Sequence, residues 1–238
     1  MPPRALEPAG IALVDKPAGP SSFALVADLR RRTGARTGHA GTLDPFATGL
    51  LVLLSGWATR LAPCFVGLDK RYVTDVDLSA RTSTGDPESE LEQRVTPPSP
   101  EELERRLAAL RGWIELPIPA ASAVKIGGRR AYRLARSGVE VDMPLRRSRV
   151  DALDVITYSD GIATLDLRVS SGTYVRAIAT ALGGHCRTLR RLEVGPFSVD
   201  EATAVGAAAL ISPAEAIGRL PTDALARVPE ALLERAAR

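Results

Sequence analysis

Apolar and polar residues recur along this chain with two periods, and each period predicts its own kind of element. From Tyr72 the pattern alternates, with Tyr72, Thr74, Val76 and Leu78 on one side and Val73, Asp75 and Asp77 on the other, which predicts a strand covered on one face. Residues 162 to 169 repeat it, with Ala163, Leu165, Leu167 and Val169 facing inward. Further strands are predicted at 11 to 14, 113 to 118, 149 to 157 and 189 to 194, and the run Leu50-Leu51-Val52-Leu53-Leu54 reads as a fully buried strand between Gly49 and Gly56. Helical spacing appears after Ser21-Ser22, where a cap precedes a helix presenting Phe23, Val26 and Ala27 and ending at Gly34. Ser99 with Glu102 makes a capping box for a second helix, facing Leu103, Leu107 and Leu110 inward and stopped by Gly112. Thr173 is placed to cap a third at 174 to 182, a polar loop fills 82 to 100, and the Ala-rich residues beyond 200 read as helical. Strands and helices mix without strict βαβ repetition, so the fold class is α+β around a mixed sheet.

Composition narrows the function classes. At 45% hydrophobic and 25% charged, 238 residues build an ordinary core, and with only 4% aromatics that core rests on Leu, Val, Ile and Ala. No apolar run approaches the roughly 20 residues of a membrane-spanning helix, and residues 1 to 8 lack the apolar stretch of a signal peptide, so a cytoplasmic protein without membrane contact is expected. Cys64, Cys186, His39 and His185 show no metal-ligand spacing, so no metal is expected and the thiols read as buried or idle. The net charge of +3 is weak, but it is unevenly spread. Lys125, Arg129, Arg130, Arg133, Arg136, Arg146, Arg147 and Arg149 face only Glu140 and Asp142 within 125 to 149, and Arg30, Arg31, Arg32 and Arg36 form a second cluster. Such segregation suits an RNA-facing side, and equally a solvated arginine-rich surface.

The stretch most suggestive of chemistry is Gly38-His39-Ala40-Gly41-Thr42-Leu43-Asp44-Pro45-Phe46-Ala47-Thr48-Gly49-Leu50-Leu51. It is a Gly-rich loop that delivers one carboxylate just before a buried strand, and Pro45 fixes the backbone next to Asp44. A carboxylate pinned at the edge of a rigid core is well placed for catalysis, although an Asp before Pro is more often a turn residue.

This stretch resembles the signature of the TruB-type tRNA pseudouridine synthases, Gly-His-x-Gly-x-Leu-Asp-Pro-x-Ala-x-Gly-Leu. The resemblance continues in order through Val14-Asp15-Lys16-Pro17-Ala18-Gly19-Pro20-Ser21-Ser22, Asp69-Lys70-Arg71-Tyr72, Pro119-Ala120-Ala121-Ser122-Ala123-Val124-Lys125, Ser170-Ser171-Gly172-Thr173-Tyr174-Val175-Arg176 and Leu189-Arg190-Arg191-Leu192. It implies a mainly antiparallel sheet flanked by helices with a basic thumb insertion, and isomerisation of the uridine conventionally numbered 55 in the T arm of tRNA. The catalytic residues it implies are Asp44 as nucleophile or base, Arg176 paired with Asp44, and Tyr72 against the target base. As substrate-binding residues it implies His39, which helps displace stacked bases, Tyr174 and Leu192 at the pocket, and Lys125, Arg129 and Arg130 gripping phosphates. Lys16 would support the Asp44 loop. Read from the residues alone, Tyr72 and Leu192 are equally core positions and Arg176 a surface arginine. The chemistry needs no cofactor, and a monomer is expected.

The domain reading is a catalytic domain at 1–200, with the thumb at about 119–147, and an Ala-rich helical tail at 201–238 in place of the PUA-type RNA-binding domain common in bacterial relatives. Ala40 stands where many relatives have Thr, and the link from Leu182 to Leu189 is short. Two alternative functions remain at this point: an RNA-binding or RNA-folding module without catalysis, and a synthase acting on another RNA.

Overall fold

The computed structural model describes residues 8–122, 124–126, 128–131 and 142–237. The chain forms two compact units, Met1–Tyr72 with Arg190–Arg238, and Val73–Leu189. Among the described residues no helix is long and apolar enough to cross a membrane.

In the first unit, β1 (Gly10–Lys16) pairs antiparallel with β3 (Thr48–Ser55) along its whole length, from Gly10 opposite Ser55 to Lys16 opposite Gly49. On the other side of β3 lie the short β2 (Thr37–His39), antiparallel, and the end of β12 (His185–Val194), parallel, with Arg191 opposite Gly49. Gly49 has φ +98°, and a Cβ there would stand 2.2 Å from the Arg191 carbonyl oxygen, so only glycine lets the two strands meet. The five residues Leu50 to Leu54 are all fully buried, as a strand covered on both faces requires. β13 (Phe197–Ser198) folds back on β12. Helices α1 (Ser22–Thr33) and α2 (Ala62–Val66) complete the N-terminal part.

Residues 201–237 join this core. The short helices α5 (Pro213–Gly218), α6 (Thr222–Leu225) and α7 (Glu230–Ala236) bury Ala216, Ile217, Leu220, Ala224, Val228 and Leu232 against Ile11, Leu54, Leu61 and Phe65. Backbone bonds between Ile11 and Ile211 and between Thr203 and the Leu13–Asp15 stretch cover the open edge of β1. An uncovered strand edge invites pairing with another chain, and these residues remove that hazard.

In the second unit the strand order is β12 (its residues 185–189), β4 (Lys70–Asp77, from residue 73), β11 (Ile162–Val169), β10 (Leu145–Ser159), β7 (Gly112–Pro117). The alternation read from the sequence holds: Tyr72, Thr74, Val76 and Leu78 are buried, as are Ala163, Leu165, Leu167 and Val169. α3 (Pro100–Ala109) buries Leu103 and Leu107, and α4 is Val175–Leu182. The two-residue strands β8 (Lys125–Ile126) and β9 (Arg129–Arg130) pair antiparallel. Arg133, Arg136 and Glu140 lie outside the described residues, as do the side chains of Lys125, Arg129 and Arg130.

Several local expectations need correction. α1 buries Ser22, Leu25, Val26 and Leu29, whereas Phe23 is 71% exposed. The true stripe begins with a serine whose hydroxyl is used internally, so hydrophobicity alone misplaced the face. The stretch at 82 to 100 is not all loop: β5 (Ala80–Thr82) and β6 (Leu91–Arg94) pair as a hairpin. Ser99 accepts a hydrogen bond from the Glu102 amide as expected, but α3 ends at Ala109 with Leu110 as its cap, before Gly112, which opens β7 instead. Thr173 does not cap α4. Its hydroxyl donates to the Ser170 carbonyl, and Tyr174 holds the cap position without a side-chain bond. Cys64 and Cys186 are both buried, and neither is in a disulfide.

Candidate active site

The loop from Ala40 to Ala47 is held by the backbone on both sides of Asp44. Lys16, fully buried, donates from Nζ to the carbonyl oxygens of Pro45 at 3.0 Å and Ala47 at 2.6 Å, as well as to that of Pro17. Ser22 Oγ accepts from the Leu43 amide and donates to the Leu43 carbonyl, each at 2.9 Å. Arg191, 1% exposed, donates through its guanidinium to Gly41 O at 3.1 Å and through Nε to Leu50 O at 2.7 Å. The Gly19 amide donates to Pro45 O, and the Ala47 amide to Asp44 O. Residues from 16–22 and Arg191 from β12 thus fix one short loop, and the half-buried Asp44 side chain is carried at its centre. Charge-assisted bonds of this kind are the strong ones, and buried lysines survive only where such acceptors exist.

This clamp makes a prediction. Lys16→Met keeps the stem and removes three donors, so it is expected to lower stability by at least about 2 kcal/mol. The loop should loosen with it, and thermal unfolding together with amide hydrogen exchange at residues 46 and 47 checks both.

His39 sits in β2 beside this loop. Its ring meets Phe23 at 5.2 Å between centroids with an 82° angle between planes. Nδ1 is buried and has no hydrogen-bond partner among the described residues. Burial, then the Arg191 charge, push the imidazole below its usual pKa, so it is neutral at physiological pH. A neutral ring suits contact with a base better than proton donation.

Tyr72 is 7% exposed on the inward side of β4. Two residues before it, Lys70 donates to the Val66 and Leu68 carbonyls, and burial together with the Arg191 charge lowers its pKa to about 8. The sign follows from the shift. The unfolded chain holds this proton up to about 10.5 and the folded chain releases it above about 8, so stability rises between those values. That slope, about 3 kcal/mol in total at 1.36 kcal/mol per pKa unit, is expected to disappear in Lys70→Met when denaturant midpoints are compared from pH 7.5 to 10.5.

Leu192 is half-buried against the first unit's core. In the second unit, Tyr174 lines a shallow depression with Ile114, Arg146, Ser148 and Ala177. Arg176, 3% exposed, opens α4 and donates to Asp86 Oδ2 at 3.1 Å, Thr84 O at 3.0 Å and Ala121 O at 2.8 Å. It is therefore no surface arginine. An arginine this deeply enclosed needs an anion and carbonyls around it, and the Asp86 loop supplies them.

Residues 30–175 match the family model described as TruB family pseudouridylate synthase (N terminal domain). This chain belongs to the TruB family. It is similar to tRNA pseudouridine synthase B of Mycobacterium sp. (strain KMS), with 43% identity over 206 residues, 81% of this chain and 69% of that one. The protein of the same name from Leifsonia xyli subsp. xyli (strain CTCB07) is 42% identical over 231 residues, 89% of this chain and 76% of the relative. Among solved structures, a chain in the crystal structure of a Cbf5-Nop10-Gar1 complex superposes with a TM-score of 0.62 at 25% identity. That match covers 82% of this chain but 51% of the other, so this chain spans about half its length. A crystal structure of a pseudouridylate synthase, at 18% identity and TM-score 0.52, shares the fold over 91% of this chain.

Within the TruB chain, the first unit carries Asp44, His39, Tyr72 and Leu192, and the second carries Tyr174 and Arg176. The TruB resemblance pointed to the Asp44 loop and to Lys16 as its support, and the Lys16 bonds to Pro45 and Ala47 bear that out, but it did not point to the other groups that hold the loop. Ser22 read as a helix cap, Arg191 as a neighbour of Leu192, and Asp86 as one acid in a polar loop. Arg191 did leave a signal, because strand alternation puts it on the side of Leu189, where a core-facing position normally holds an apolar residue.

Proposed function

We propose that this TruB chain isomerises a single uridine of tRNA to pseudouridine, at position 55 of the T arm, with Asp44 as the reacting carboxylate. The observation that carries this reading is the backbone clamp on both sides of Asp44. A fixed carboxylate loses little on meeting its target, because its orientation is set before the substrate arrives. The family match and relatives named for activity on tRNA support the substrate class.

The reaction breaks the bond from ribose C1′ to uracil N1 and forms one from C1′ to C5. The C5 hydrogen leaves as a proton and N1 gains one, so the product has the mass of the substrate and no electrons are exchanged. Asp44 acts at the sugar as nucleophile or base. Arg176 pairs with it and keeps it ionised, while Tyr72 stacks on the base and Leu192 and Tyr174 line the pocket. The target uridine must leave its stack at a cost of a few kcal/mol, and His39 replaces part of what is lost. Lys125, Arg129 and Arg130, in the thumb at about 119–147, bind phosphates. Residues 1–200 form the catalytic domain, and the 201–238 segment buttresses it. A cytoplasmic monomer fits this role.

The test is release of tritium to water from an unmodified tRNA transcript labelled at uracil C5. Stoichiometric release at one site per tRNA is the expected result. Binding without release would mean that the chain is an RNA-binding module.

A further inference from the structure

The exposed side of α1 carries a large aromatic ring that the mechanism above leaves unused. Phe23 lies in the first turn and is 71% exposed, an unusual fate for phenylalanine. It is not loosely placed. Its ring is seated edge-to-face with His39, which β2 holds against β3, and the preceding residue, Ser22, is bonded to Leu43 beside Asp44. Helical spacing puts Phe23, Ala27, Arg30 and Arg31 along one side of α1, all of them exposed. The small Ala24 and Ala27 side chains leave the surface low between the ring and the arginines. The nearby acid of this helix, Asp28, is paired with Arg31.

We propose that this side of α1 is an RNA-binding stripe, in which Phe23 stacks an unpaired base flanking the target uridine and Arg30 holds a phosphate of the same strand. The proposal rests on the functional reading above and adds a contact to it. Phe23 and Arg30 are seven residues apart, so at 1.5 Å per residue they are separated by about 10 Å along the helix, which a single strand spans without stretching. An exposed ring next to cationic groups is the arrangement by which single-stranded RNA is held, stacking on the aromatic and charge on the backbone. A protein partner fits less well, because no second large apolar residue of α1 is exposed beside Phe23. The neutral His39 ring beneath adds a second aromatic surface without a competing charge.

The experiment measures equilibrium binding of an unmodified tRNA transcript and single-turnover pseudouridine formation for Phe23→Ala, Phe23→Leu, Phe23→Trp and Arg30→Gln. One lost base stack corresponds to about a 5- to 150-fold rise in Kd, expected for both Ala and Leu. Phe23→Trp is expected to bind at least as tightly as the wild type. Arg30→Gln should reduce the slope of log Kd against log salt by about one. Melting temperatures should stay at the wild-type value, since both side chains are exposed. Wild-type affinity in Phe23→Ala overturns the proposal, and so does wild-type affinity in Phe23→Leu, which would reduce the ring to apolar packing. If the wild type binds tRNA but forms no pseudouridine, the functional reading fails, and the binding series still decides the stripe.

Discussion

Asp44→Asn is expected to abolish pseudouridine formation in a chain that stays folded and binds tRNA as the wild type does. The substitution is nearly isosteric, and every clamp on the loop acts on backbone atoms: Lys16 on Pro45 and Ala47, Ser22 on Leu43, Arg191 on Gly41. None of those bonds needs the carboxylate, so the backbone clamp persists while the reacting group is lost. An amide can neither attack the sugar nor take its proton. The single-turnover rate should fall by at least about 10²- to 10⁴-fold, the usual contribution of a positioned acid or base. The same clamp is expected to make Asp44→Glu inactive in large part, because a loop clamped through its backbone cannot retreat to accommodate another methylene. Glutamate activity near that of the wild type would show the loop to be more compliant than its bonds imply.

Asp86→Ala carries the second large effect, and it falls first on stability. Arg176 and Asp86 are 3% and 10% exposed in their side chains and 3.1 Å apart. Removing one member of such a pair leaves a buried charge, at a cost of about 3–5 kcal/mol. For a chain of this size that lowers the melting temperature by about 6–20 °C. The bonds from Arg176 to the Thr84 and Ala121 carbonyls are to neutral acceptors and do not supply what the Asp86 carboxylate does. Asp86→Asn, which still accepts a hydrogen bond, should lose clearly less. Because Arg176 is proposed to orient Asp44, pseudouridine formation should fall in Asp86→Ala even at temperatures where the variant is fully folded. Unchanged melting of Asp86→Ala, by calorimetry or dye binding, would show that the pair contributes little.

What the sequence conveyed depended on how local each signal is. The strands at 70 to 77 and 162 to 169 were legible because a period of two with one buried side is written within eight residues. The α1 face was misread because its first buried residue is Ser22, polar by type and apolar only in location. The Asp44 loop was legible as a motif together with its Lys16 support, yet the rest of its clamp was not, since Ser22 and Arg191 reach it from 21 and 150 residues away. Asp86 was the hardest to find. An acid in a stretch rich in Ser, Thr and Glu looks solvated, and its partner lies 90 residues downstream. The helical character beyond 200 was legible from composition, but its packing on the first unit was not, because Ala-rich periodicity does not name the surface it covers.

The central claim is that this chain converts one uridine into its isomer with nothing added but the RNA. Nucleoside analysis of an unmodified tRNA after incubation with the purified protein tests it most directly. The account predicts one pseudouridine per molecule, in the T arm, in a tRNA of unchanged mass. Free uracil, or a tRNA in which every uridine survives despite saturating protein, would contradict it.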